Sequence, residues 1–95
     1  IYVKDQSSSY ANITTTGTTT IKSGAGILRR LVINTKGSAS NTFTIYDSLT
    51  GSGTVIATID TVNSVSSYFE YGLAFTALTI VSATGTSANA TVIYE

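Results

Sequence analysis

This sequence predicts an all-β fold: an antiparallel β-sandwich or jelly roll of about seven to eight short strands. Three observations carry the prediction. Apolar residues recur at intervals of two, the β-branched residues Thr, Ile and Val dominate the alternating runs, and Gly- or Ser-rich breaks separate those runs at regular spacing. No window sustains a 3.6-residue apolar period built from helix formers. A closed barrel alternates with the same period and remains a competing geometry.

The stretch 1–17 is polar and contains Ser7-Ser8-Ser9 and Thr14-Thr15-Thr16. It is expected to form an extended N-terminal arm, leaving 18–95 as a single β-sandwich domain. A first strand is expected over Thr18 to Ser23, ending at Gly24-Ala25-Gly26, whose glycines permit a sharp reversal at positive φ. The strongest strand signal is Ile27 to Thr35. Strict alternation there puts Arg29, Leu31 and Ile33 on one face and Leu28, Arg30 and Val32 on the other. Both faces are partly apolar, which suits a central strand.

After the loop Lys36 to Asn41, Thr42 to Asp47 sets Phe43 and Ile45, the expected core members, opposite Thr44 and Tyr46. Leu49-Thr50-Gly51-Ser52-Gly53 then connects a β-hairpin to Thr54 to Asp60, where Val55, Ala57 and Ile59 oppose Ile56, Thr58 and Asp60. Asn63-Ser64 is read as a loop. Tyr68 to Leu73 carries Phe69, Tyr71 and Leu73 on one face, and Leu78 to Ala83 pairs Leu78 with Ile80. Thr84-Gly85-Thr86-Ser87 turns into the closing strand, Ala90 to Tyr94.

Composition narrows function. The chain has 95 residues, with five basic and five acidic residues and no His, Cys, Met, Trp or Pro. That length corresponds to one domain. Without His and Cys the usual zinc ligands and the His-dependent nucleophile systems are missing, so an enzyme is not expected. A net charge of zero gives no cationic footprint for nucleic acid. No apolar run reaches the roughly 18 residues of a membrane span, and residues 1–6 lack the pattern of a signal peptide. The first residue is Ile rather than Met, so a processed form, a trimmed chain or a fragment is expected. Charged residues make up 11% of the chain, against roughly 25% in an ordinary soluble domain. Ser and Thr together account for 31 of the 95 positions. A surface so poor in charge tolerates close protein contact, which suits a subunit of an assembly.

No cofactor or metal site is expected. Gly24-Ala25-Gly26 and Gly51-Ser52-Gly53 lack the following helix that a phosphate loop needs, and read as turns. Asp47, Asp60 and Glu70 read as solvated or lightly paired carboxylates rather than a catalytic pair. Asn12-Ile13-Thr14 and Asn89-Ala90-Thr91 match a glycosylation pattern that arises readily by chance in a chain this rich in Ser and Thr. The candidate interface residues are Arg29, Arg30, Tyr46, Tyr68 and Tyr94. The two arginines are expected on opposite faces, either as edge charges or with one of them buried at a subunit contact. The three tyrosines are expected on the faces opposite the core residues, as interface anchors.

Five segments in order, Ile21 to Leu28, Leu31 to Gly37, Thr44 to Asp47, Gly53 to Asp60 and Leu78 to Thr86, resemble small virion proteins of tailed bacteriophages. The similarity is to capsid decoration, or cement, proteins and related head-surface domains, and it covers roughly residues 20 to 95. The resemblance implies a β-sandwich without catalysis. It further implies a virion location on the capsid surface, with the major capsid protein and copies of the chain itself, in trimers, as partners. Nucleic acid and membrane are not among them. Two alternatives are a self-assembling extracellular filament or pilus-like subunit, built by N-terminal strand addition, and a carbohydrate-binding domain of a phage fibre.

Overall fold

The computed structural model describes residues 9–63 and 66–95. They form eight strands: β1 Ser9–Ile13, β2 Gly17–Lys22, β3 Gly26–Thr35, β4 Thr42–Asp47, β5 Thr54–Asp60, β6 Tyr68–Phe75, β7 Leu78–Ala83 and β8 Asn89–Tyr94. Among the described residues there is no helix. Two four-stranded antiparallel sheets have the orders β1-β8-β3-β6 and β2-β7-β4-β5. Among the described residues each sheet keeps two free edges, so the fold is a sandwich and not a closed barrel.

The strand order has a simple logic. The pairs β4·β5, β3·β6, β2·β7 and β1·β8 are nested one outside the next, and alternate pairs fall in alternate sheets. This is a long antiparallel ribbon rolled on itself, closed by β8 against β3 and by β7 against β4. Such a roll is the jelly-roll form of the sandwich. One face of each sheet supplies the core: Ile13, Leu28, Leu31, Ile33, Phe75, Ala90 and Val92 from the first sheet, and Phe43, Ile45, Ile59, Leu78 and Ile80 from the second. The expected core pair Phe43 and Ile45 is fully buried.

Three expectations change. The segment expected as an N-terminal arm contributes β1, whose Ile13 is buried in the core, so the sandwich begins before residue 18. Residues 1–8 of that segment lie outside the described residues, as does Ser64 of the expected Asn63-Ser64 loop. Leu28 also joins the core, although strict alternation puts it opposite Leu31. The β3 register shifts between Leu28 and Arg30 against both of its neighbours, so two residues rather than one separate the inward-facing leucines. Finally, Gly24 and Gly26 do not turn at positive φ. Gly26 is needed for close approach: a Cβ there would collide with the Glu95 carbonyl oxygen and sit 2.8 Å from the Phe75 ring.

One buried polar side chain joins the loops at one end of the sandwich. Asn41 is fully buried; its Nδ2 donates to Ser82 Oγ at 3.1 Å, Ala83 O at 3.1 Å and Thr84 O at 3.0 Å. Its Oδ1 accepts from Thr61 Oγ1 at 2.7 Å and from Ala88 N at 3.1 Å. A buried amide is tolerated because its donors and acceptor are all used. Beside it, Ala39, Ser40 and Thr84 hold positive φ of 56°, 65° and 62°. The β3–β4 and β7–β8 loops are thus pinned in a conformation that L-residues seldom adopt.

Candidate functional site

The two broad outer faces differ in charge. On the first sheet, the strand registers align Tyr10, Ile93, Arg30 and Glu70 in one row across β1, β8, β3 and β6. The adjacent row is Asn12, Thr91, Val32 and Tyr68. Next to it an amide cluster forms: Asn12 Nδ2 donates to Asn89 Oδ1 at 2.8 Å, and Asn34 Nδ2 donates to the same oxygen at 3.1 Å and to Thr91 Oγ1 at 3.0 Å.

Arg29 and Arg30 do not point to opposite faces. The register shift that returns Leu31 to the core leaves both outside, with side chains 41% and 37% exposed. Each finds a carboxylate. Arg29 Nε and Nη2 bind Glu95. Arg30 grips Glu70 with two hydrogen bonds, Nε to Oε1 at 3.1 Å and Nη2 to Oε2 at 3.3 Å. The same guanidinium lies 6.0 Å from the centre of the Tyr68 ring, and the Tyr68 hydroxyl donates to Glu70. Arg30 hydrogen bonding, reinforced by Tyr68, holds the Glu70 carboxyl below its ordinary range. The hydrogen bond to Glu70 in turn raises the Tyr68 phenol. Arg30, Tyr68 and Glu70 therefore act as one neutralised unit.

The outer face of the second sheet carries rows Thr20, Thr79, Tyr46, Val55 and Thr18, Val81, Thr44, Thr58. Among the described residues the sheet's charges are Lys22, Asp47 and Asp60, all at strand ends, and only Asp60 lies in line with these rows. The segment after β4 is not a plain hairpin turn, because it folds back over this face. Thr79 Oγ1 donates to Ser48 O at 2.7 Å and is fully buried by the loop. Gly51 rests so close to β7 that a Cβ there would come within 2.8 Å of Val81 Cγ2.

The candidate tyrosines are not brought together. Tyr68 lies on the outer face of the first sheet and Tyr46 on the outer face of the second. Tyr94 is a correction: it follows Ala90 and Val92 at intervals of two, so it faces inward and packs against the core. Tyr71 does the same. The carboxylates are lightly paired, as expected. Asp47 accepts from Thr76 N and Oγ1 and from Ala77 N at the β6–β7 turn. Asp60 accepts from Val62 N, Asn63 N and Asn63 Nδ2. These hydrogen bonds to the ionised form lower both carboxyls.

Sequence reasoning missed the two-arginine face because a one-residue register shift leaves no mark on composition. It also missed the covering loop. The glycines around Ser52 were the available signal, since they allow backbone to approach a sheet closely.

Among the described residues no pocket forms, and no group of three His, Cys, Asp or Glu converges to hold a metal ion. No family model matches the chain, and no curated protein is significantly similar to it.

Proposed function

We propose that this chain is a structural virion protein of the decoration type, which binds the outer surface of a tailed-bacteriophage capsid and stabilises it by protein contact alone. The observation that carries the reading is the electrostatic state of the two broad faces. Among the described residues, one pairs its four charges internally, and the other is nearly devoid of charge. Such faces can approach neutral protein surfaces without like-charge repulsion and without stripping water from an unpaired ion. The jelly-roll architecture, which recurs in viral shells, agrees with the reading but does not carry it.

The mechanism is burial repeated over a lattice. A standard interface of about 1,600 Å² per copy stabilises each contact modestly, and repetition over a shell multiplies the effect. The filament alternative has less support, because β1 is paired in cis with β8 and is not free for donation. A sugar-binding row is disfavoured too, since one face of the Tyr68 ring and its hydroxyl are engaged by Arg30 and Glu70.

The test is co-sedimentation of the chain with heads assembled from the major capsid protein encoded in the same genome. Binding at fixed stoichiometry, together with raised thermal resistance of the heads, is expected. Failure to bind expanded heads at any ratio overturns the proposal.

A further inference from the structure

Among the described residues the sandwich has four edge strands: β1 and β6 in one sheet, β2 and β5 in the other. Each presents unpaired backbone N–H and C=O groups that could template another strand, unless the edge is blunted by bulges or charge. Three of the four are blunted. In β2 the register slips between Thr20 and Lys22, placing an extra residue beside a charged one. In β5 an extra residue, Ile56, lies opposite the step from Ile45 to Tyr46, and Asp60 ends the strand. In β6 the register slips opposite Arg29, and Glu70 stands within the strand.

β1 differs on each count. Its five residues pair with β8 in unbroken register from Ser9 to Ile13. It contains no charged residue, glycine or proline. It also carries Tyr10, which at 75% is the most exposed large hydrophobic side chain of the described residues.

We infer that β1 is a docking edge for β1 of a second copy, paired antiparallel about a two-fold axis, so that two four-stranded sheets join into one of eight. The occupant follows from the other edges. A second copy supplies a strand as regular and uncharged as the edge it meets, and among the described edge strands β1 alone offers one. With the axis at Ala11, Ala11 meets Ala11 of the second copy, Tyr10 meets Asn12, and Ser9 meets Ile13. No like charges are opposed. Asn12 is already held by Asn89 and by the Ala90 carbonyl, so its orientation is preset for the incoming ring.

Five residues extend about 17 Å, and their pairing buries less than the roughly 1,200 Å² of a stable complex. The contact is therefore weak between free molecules and counts where copies are held at high effective concentration. It does not depend on the capsid reading, because it is measured on the chain alone. A two-fold contact at this edge also leaves the broad faces free.

The test uses the full chain and two double variants. Y10K/N12K puts lysine against lysine in both outer-face pairs, whereas Y10K/N12E puts lysine against glutamate in both. Mass is followed by light scattering as concentration rises, and amide hydrogen exchange is read for residues 9–13. The wild-type mass should climb toward two-fold while exchange in β1 slows. Y10K/N12K should stay monomeric, and Y10K/N12E should associate about tenfold more tightly than wild type at low salt. Dimerisation that Y10K/N12K does not disturb, or a wild-type chain whose β1 exchange is independent of concentration, overturns the inference. The exchange measurement on wild type decides the matter even if a variant fails to fold.

Discussion

Asn41 shows how much one side chain can organise. Its amide joins the β3–β4 loop to β7, to the residue after β5 and to the segment before β8, so four parts of the chain share one buried polar group. Asn41→Ala would leave the Ala88 N–H short of a partner in a place water cannot reach, whereas Thr61 Oγ1 keeps the backbone carbonyl of residue 41. The loss should be roughly 3 kcal/mol. A urea titration would show it as a lowered midpoint with unchanged slope. Nothing in the sequence singles out this residue: Asn41 follows Ser40 at the end of a Ser-rich loop and reads as one more turn former. The exposed carboxylates matter differently. Asp47, Asp60 and Glu70 all ionise more readily in the folded chain, through hydrogen bonds to Thr76, Asn63 and Arg30 respectively. Their contribution is complete above the unfolded carboxyl range near pH 4 and disappears as pH falls through the lowered folded values. Tyr68 and Tyr71 are raised, by the bond to Glu70 and by burial, so stability declines again as pH climbs through their folded values above about 10. Melting temperature against pH should therefore show a neutral plateau with an acid limb. Asp47→Asn should flatten that limb, because an amide keeps an acceptor oxygen without titrating. Glu70→Gln has a separate readout: the Tyr68 phenol should titrate closer to its ordinary value, by ultraviolet absorbance.

At the scale of the elements, four strand assignments matched the alternation closely, and β4, β5 and β7 matched end to end. Alternation reports a half-buried strand reliably because each side chain's face follows from its parity. It fails where the parity slips, as at Arg29, because a register shift is set by the neighbouring strands and not by the residues that carry it. β1 was hidden for another reason. Its only buried large side chain is Ile13, so the segment lacks an apolar rhythm and is held mainly by its ladder with β8. The glycines at the start of β3 separate two roles that look alike in sequence. A methyl group on Gly24 would meet nothing within 4 Å, whereas one on Gly26 would strike the Glu95 carbonyl and the Phe75 ring. Gly26→Ala should cost roughly 2 kcal/mol or more, because the closing pair of bonds between Ile27 and Glu95 must move. Gly24→Ala should be neutral or slightly stabilising, through the reduced entropy of the unfolded chain. Paired thermal melts of the two variants separate steric need from backbone freedom. Equal effects would mean that the Glu95 contact is not held in solution.

The whole molecule is a rolled ribbon, and that geometry governs how it must fold. Only the innermost pair, β4·β5, is local; β3·β6, β2·β7 and β1·β8 close progressively larger loops, the last joining residues 9 and 94. Each closure carries an entropic cost before its contacts are gained, so topologies of this kind fold in milliseconds to seconds rather than microseconds. The chain contains no proline, which removes the usual source of slower phases. Refolding followed by tyrosine fluorescence should accordingly be a single exponential on the order of a second or faster, with no phase of tens of seconds. Rolling also orders the events. Ile45→Val, in the innermost hairpin, should slow folding, because its contacts with β5 and β7 form before the outer loops can close. Ile13→Val, in the outermost pair, should mainly speed unfolding, since β1 docks last. The reverse pattern, with the slower refolding at Ile13, would mean that the termini meet first and that the ribbon is assembled from its open end. A slow phase that strengthens with protein concentration would instead report association during folding, and the β1 edge is where it should be sought.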